Sequence, residues 1–276
     1  MYITLLERGG IVLTVSNQYE TVTLHKEGKV ARLKLNRPQS LNALDAGLMK
    51  ELLAALKEVE NDPSISLLVL TGEGKGFSSG GDIKSMLSLS GEEQFSEIMD
   101  TISELVMTLY SMPKVVLTGI HGAAAGLGFS LALASDYILC EEDSKLAMNF
   151  IGIALIPDGG SHFLLQERLG THKAKRLIWN GKVFEGQEAM MKGLVDEAIP
   201  SGKLEEGIER YIKQVLAAPT KALLKTKEVY VSLNKERLQH ALDLEKEGQW
   251  LMRQTSDHQE GITAFVEKRK PNFKGE

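Results

Sequence analysis

Three glycine-rich segments hold the residues best suited to chemistry. They are Gly76-Phe77-Ser78-Ser79-Gly80-Gly81-Asp82-Ile83-Lys84, His121-Gly122-Ala123-Ala124-Ala125-Gly126-Leu127-Gly128 and Ile156-Pro157-Asp158-Gly159-Gly160. Small residues permit positive φ and let a ligand approach the backbone closely. In the first two, the amides of Gly81 and Leu127 can point at one oxygen, the second from a helix N-terminus where donors are unpaired. Familiar motifs fail on spacing. The stretch 71–76 is no Walker A loop, because no Gly-Lys-Ser/Thr lies four residues after a glycine. Leu131 stands where a dinucleotide fingerprint after Gly126-Leu127-Gly128 would need its third glycine. The histidines show no metalloprotease pair and no zinc spacing, so no metal site is assigned. Gly128-Phe129-Ser130-Leu131-Ala132 is one residue short of a nucleophile elbow, although Asp158 and His162 follow Ser130 in hydrolase order. A helix from about Leu127 places Ser130 inside a helix rather than on the strand-to-helix turn an elbow requires.

Strands and helices must alternate to position these segments. Val22 and Leu24 alternate with polar neighbours, 26–29 turns, and Val30, Leu33 and Leu35 complete a hairpin. Asp45 is placed to cap a helix with Leu48, Met49, Leu52, Leu53, Leu56 and Val59 on one stripe, stopped by Asn61-Asp62-Pro63. Strands are expected at 65–71, 114–120 and 136–140. Ser90 with Glu93 reads as a capping box opening a long helix through Leu109, and 127–134 as a short helix. This alternation indicates a parallel α/β body. Beyond about Leu204 strand signals stop, and helices are expected at 220–233, 235–254 and 257–268, the last with an Asp257/Glu260 capping box. The expected organisation is an extension over 1–16, an α/β core over 17–204 and a helical region over 205–276.

Composition narrows the class. The chain has 276 residues, 32 Lys+Arg against 37 Asp+Glu, and a net charge of −5. With 43% hydrophobic and 25% charged residues it is an ordinary globular chain rather than a disordered one. The acidic balance argues against a general nucleic-acid binder. The lone cysteine, Cys140, fits a reducing compartment, and no signal-like or membrane-spanning run is found, so a cytoplasmic protein is expected.

The order of the segments resembles the crotonase (enoyl-CoA hydratase/isomerase) superfamily. The match includes Leu35-Asn36-Arg37-Pro38 with Asn42-Ala43-Leu44, the three segments above, Ser135-Asp136-Tyr137, Gly193-Leu194-Val195-Asp196 and the tail Phe265-x-x-Lys268-Arg269-Lys270-Pro271-x-Phe273. Only the first sixteen residues fall outside it. The resemblance implies a spiral of ββα units, C-terminal helices that assemble trimers or hexamers, an acyl-CoA thioester substrate and no separate cofactor. The family's oxyanion hole maps onto the Gly81 and Leu127 amides, and CoA contacts onto Gly81, Asp82, Ile83, Lys84 and Leu127. Phe265 and Lys268 lie where a neighbouring subunit's tail approaches the adenine end in relatives.

The family's hydratases use two glutamates, and the matching positions here are Ser130 and Phe150. A hydroxyl and a phenyl ring cannot do carboxylate acid–base work. Asp158 stands where several family isomerases carry an essential aspartate; its other reading is a cap for the helix starting near Gly159. An apolar wall from Phe150 and Ile151 would raise its pKa toward neutrality. His121 reads as loop-structural, Asp82 as ordering its own loop, and Ser130 as a small helix residue. The reading is therefore Δ3,Δ2-enoyl-CoA isomerase. The alternatives are a hydratase drawing acids such as Glu93 or Glu97 from elsewhere, or a catalytically silent acyl-CoA binder. Deleting residues 2–15 is expected to leave folding and turnover at wild-type values, checked by melting and by enoyl-CoA assay.

Overall fold

The computed structural model describes residues 19–83 and 91–276. The proposed extension 1–16, Lys84 and Ser90 lie outside the described residues. Strands run as β1 (Val22–Glu27), β2 (Val30–Leu35), β3 (Leu67–Gly72), β4 (Val115–Ile120), β5 (Ala123–Ala125), β6 (Tyr137–Glu141), β7 (Lys145–Ala147), β8 (Val183–Glu185) and β9 (Glu197–Ile199). The large sheet has the order β1-β2-β3-β4-β6-β9, antiparallel at β1/β2 and parallel beyond it; a smaller sheet has the order β5-β7-β8. Helices are α1 (Ala46–Glu60), α2 (Glu92–Ser111), α3 (Leu127–Leu133), α4 (Ser161–Leu169), α5 (Thr171–Asn180), α6 (Gly186–Met191), α7 (Leu204–Ala217), α8 (Thr220–Arg253) and α9 (Ser256–Val266).

β3 and β4 are buried along their whole length, as parallel strands covered on both faces must be. Their period-two alternation divides the core. Leu68, Leu70 and Val116 join the large cluster with α1 and α2, while Leu67, Val69, Val115 and Leu117 meet Ile208, Ile212 and Val215 of α7. Aspartates lock the parallel strands where they begin. Asp136 accepts from Val116 N at 2.7 Å, and Asp196 accepts from Ile138 N at 2.7 Å. Asp136 also meets Lys227 of α8 at 2.7 Å, which fastens the long helix to the sheet. Two of the motif aspartates noted in the sequence are thereby explained as structural.

The hairpin, the Asp45 cap (accepting from Leu48 N at 2.9 Å) and the helix stop after Glu60 follow the expected pattern. Three local expectations are corrected. The expected helices 220–233 and 235–254 are one helix, α8. Asn234 between them bonds Tyr230 O at 3.2 Å and continues the helix, because asparagine costs only a few tenths of a kcal/mol in a helix interior. The N-cap of α2 is Gly91 without a side-chain cap. The cap of α9 is Thr255, accepting from His258 N at 3.1 Å, while Asp257 and Glu260 are drawn away to the chain end. Asp257 binds the amides of Lys274 and Gly275, and Glu260 binds Arg269 and Asn272.

Asn42 sets the first glycine-rich segment. Fully buried and at φ 54, it accepts from Arg37 N at 2.8 Å and donates to Glu73 O and Gly76 O, each at 2.9 Å. Asparagine tolerates this left-handed backbone better than other residues with side chains. Asn42→Ala strands two carbonyls and an amide in the interior. The expected loss is about 3 kcal/mol of stability, measured by denaturant unfolding.

Candidate active site

The first segment is threaded between two others. Leu44 N donates to Gly80 O at 2.8 Å and Asp82 N to Leu44 O at 3.1 Å, so the N–H of Gly81 turns away from residue 44. On the other side Ser78 N donates to Ala123 O at 2.9 Å, and Ala125 N to Ser78 O at 3.0 Å. This packing requires glycine at position 80, where φ is +94 and a Cβ would lie 2.6 Å from Ala125 O. β5 then leads through Gly126 into α3. Leu127 is its first residue, and the first intrahelical bond is Ser130 N to Gly126 O at 3.0 Å, so the Leu127 amide is left over. Among the described residues neither the Gly81 nor the Leu127 amide has a hydrogen-bond partner.

A cavity of about 190 Å³ opens between these amides, lined also by Phe150, Ile153, Leu155 and Asp158. Ile83 and Phe265 complete its rim. Asp158 Oδ1 is shut off from solvent and has no partner among the described residues. Burial, reinforced by the negative charge of Glu245 and opposed by its own backbone amide, pushes the Asp158 carboxyl up to about 8. Asp158 is not a helix cap: α4 starts at Ser161 and has no side-chain cap from its own strand of sequence. Ile151 is turned out, 40% exposed, so the apolar wall beside Asp158 is Phe150, Ile153 and Leu155 instead.

Glu245 takes the capping role from a distance. It is a buried residue of α8, and its carboxylate accepts from Gly160 N at 2.7 Å and from His162 N at 2.9 Å. Four residues on, buried Gln249 donates to Ile156 O at 2.6 Å. Neither residue was anticipated from the sequence. The available signal was the stripe Leu238, Leu242, Glu245, Gln249, in which two polar residues occupy the buried face of a helix.

Other candidates fall elsewhere. Ser130 is fully buried and bonds Ser161 Oγ at 2.6 Å, with His162 held by Glu245, so no hydrolase triad forms. Asp82 faces Arg37, which also pairs with Asp45 at 2.9 Å, and His121 bonds Gly74 O at 2.9 Å; both order loops. Glu93 and Glu97 are exposed on α2, away from the cavity, with Glu93 on a separate groove beside Trp250. Phe265 lines the cavity of its own chain, because α9 folds back on the turn 150–153. His258 Nδ1 meets Ile153 O at 2.8 Å, and Gly261 packs on the Ile153 backbone. Lys268 is exposed and does not line the cavity. Cys140 is buried, its thiol pushed up to about 12, and takes no part.

Residues 25–276 match the family model described as enoyl-CoA hydratase/isomerase. The chain belongs to the enoyl-CoA hydratase/isomerase family. It is 48% identical over 246 residues to YhaR of Bacillus subtilis strain 168, which carries an enoyl-CoA hydratase/isomerase name, covering 89% of this chain and 96% of that one. It is 32% identical to the 1,2-epoxyphenylacetyl-CoA isomerase of Escherichia coli K12, covering 93% and 99%. The solved structure of an enoyl-CoA hydratase from Mycobacterium avium subsp. paratuberculosis K-10 superposes with a TM-score of 0.84 at 31% identity, covering 92% of this chain and 98% of that one. The fold is thus the mixed α/β crotonase fold with a C-terminal helical region. No helix among the described residues is long and apolar enough to cross a membrane.

The raised Asp158 pKa has a consequence for stability. The folded chain holds this proton to about pH 8, whereas an ordinary aspartate releases it near 3.8. The folded state therefore binds more protons between those values, and stability falls as pH rises through the window. Asp158→Asn removes that dependence. Its melting temperature relative to wild type is expected to climb steadily from pH 5 to about pH 8.5, measured by calorimetry across that range.

Proposed function

We propose that the chain is a Δ3,Δ2-enoyl-CoA isomerase, with Asp158 as the proton carrier and the Gly81 and Leu127 amides as the oxyanion hole. The observation that carries this reading is the single carboxylate on the cavity. Among the described residues Asp158 is the only acid lining it, and residues 84–90 contain none in sequence. Shifting a double bond from the β,γ to the α,β position needs one base. Asp158 takes a proton from C2, the electrons pass through the thioester carbonyl to give a dienolate, and the same carboxyl returns the proton at C4. Hydration needs a second group to activate water, and Ser130 and Phe150 do not supply it.

The oxygen that gains charge meets two donors already fixed in place. One such donor contributes about 3 kcal/mol, or roughly 10²–10³ in rate. A carboxyl that titrates near neutrality suits a group that must both accept and return a proton. The same reading assigns Ile83, Asp82, Lys84, Phe265 and Lys268 to the coenzyme end of the substrate. It assigns to subunit contacts in a trimer or hexamer exposed apolar side chains such as Leu233 and Leu251 of α8, and it places the enzyme in the cytoplasm.

Asp158→Asn is expected to lower turnover of 3-enoyl-CoA by at least ~10² while CoA-ester binding persists, since general acid–base catalysis contributes about 10²–10⁴. Absorbance assays on 3-enoyl-CoA and 2-enoyl-CoA, with binding by calorimetry, make the measurement. Wild-type turnover in the variant, efficient hydration of 2-enoyl-CoA by the parent, or binding without any turnover would each overturn the reading.

A further inference from the structure

We propose that Glu245 is a positioning residue of the active site, its carboxylate fixing the turn that presents Asp158 and its charge setting the pH at which the site works. The proposal rests on the isomerase reading only for its kinetic arm.

Glu245 lies on α8, more than eighty residues from the turn it holds. One oxygen accepts from Gly160 N at 2.7 Å; the other accepts from His162 N at 2.9 Å and meets His162 Nδ1 at 2.7 Å. These bonds grip the second glycine of the pair that follows Asp158 and the first turn of α4. The turn has little freedom to answer a lost contact by sliding. Gly159, at φ +68, leaves 2.8 Å between a notional Cβ and Ser130, and Gly248 packs against Ile156 where α8 crosses the turn. A neutral cap would hold the same amides. A carboxylate also places a negative charge behind Asp158, and like charge disfavours a second ionisation nearby.

Few other charges face this pair. From α4 comes His162, from α8 Arg237 and His240, which line a cavity on the far side of Glu245. From α3 the nearest polar group is the Ser130 hydroxyl, from α9 the His258 ring on Ile153 O, and the turn 150–153 offers no titratable side chain. Among the described residues Glu245 is therefore the acidic neighbour of Asp158.

The test compares wild type, Glu245→Gln and Glu245→Asp by two readouts. The first is kcat/KM for 3-enoyl-CoA against pH. The second, free of substrate, is the melting difference between each protein and its own Asp158→Asn derivative against pH, which reports the Asp158 titration. Glu245→Gln is expected to move both midpoints down by about one pH unit, giving about tenfold more kcat/KM on the acid side relative to its own plateau. Glu245→Asp, which keeps the charge but shortens the reach, is expected to hold the midpoint and lower the plateau. Unmoved midpoints in Glu245→Gln, or an equal loss at every pH in both variants, would reduce Glu245 to a structural cap and overturn the proposal. Should Glu245→Gln not fold, Glu245→Asp decides: a moved midpoint or an unchanged plateau overturns it. A parent that never isomerises 3-enoyl-CoA sinks the isomerase reading, while the melting midpoints still judge Glu245.

Discussion

Hydrogen bonds left unmade at one small cavity are the constraint around which the rest of the chain is arranged. Two backbone amides and one carboxyl oxygen at it have no partners among the described residues, and a buried polar group without a partner costs about 1–3 kcal/mol. A fold cannot tolerate such groups unless the segments carrying them are held from outside. Each is held by a different device. The Gly81 amide is kept out of the sheet by strand-like pairing of its neighbours with Leu44 and by the Asn42 clamp. The Leu127 amide is left over by the geometry of a helix start. Asp158 is held by a carboxylate and an amide projecting from α8.

This arrangement gives the helical tail a role in the site as well as in the architecture. α8 is fastened to the sheet towards its N-terminal end by Lys227 with Asp136 and touches the Asp158 turn in its C-terminal third through Glu245, Gly248 and Gln249. α9 then returns to the turn 150–153, bringing Phe265 to the cavity rim. A change in how α8 lies on the body would be felt at Asp158 directly. The α/β body presents the amides, and the tail fixes the position and electrostatic surroundings of the acid.

What was legible in the sequence follows from the range of the forces involved. The hairpin, the Asp45 cap and the buried parallel strands are written in local alternation and in residues a few positions apart. The glycines of the first two segments were readable because only small residues allow the close approach seen between Ser78 and Ala123–Ala125. Glu245 was hidden because its partners are 83 and 85 residues away, and a polar residue in a helical stripe does not name what it will meet. The α9 cap misled for a related reason. Asp257 and Glu260 have capping-box spacing, yet the chain end offered their carboxylates unpaired amides and an arginine, and Thr255 was left to cap. Ile151 shows the limit of reading a wall from adjacency. The turn 150–153 is one short 3-10 coil, so neighbouring side chains point in different directions, and Ile153 rather than Ile151 faces Asp158's cavity.

The proposed chemistry also accounts for why the acid is buried rather than exposed. An exposed aspartate is ionised at neutral pH but too weak a base to take a proton from carbon at a useful rate. Withdrawing it from water strengthens it as a base and reduces the fraction ionised, and the two effects balance best when its pKa lies near the working pH. Burial in a cavity lined by Phe150, Ile153 and Leu155 is the larger cause of the raised pKa, and the Glu245 charge adds to it. The Glu245 carboxylate lies outside the cavity, where two backbone amides and the His162 ring hold it in place. A cavity lined, among the described residues, by one acid and two amides without partners there is therefore suited, on the proposed reading, to moving a single proton between two carbons of a bound thioester, and poorly suited to activating water.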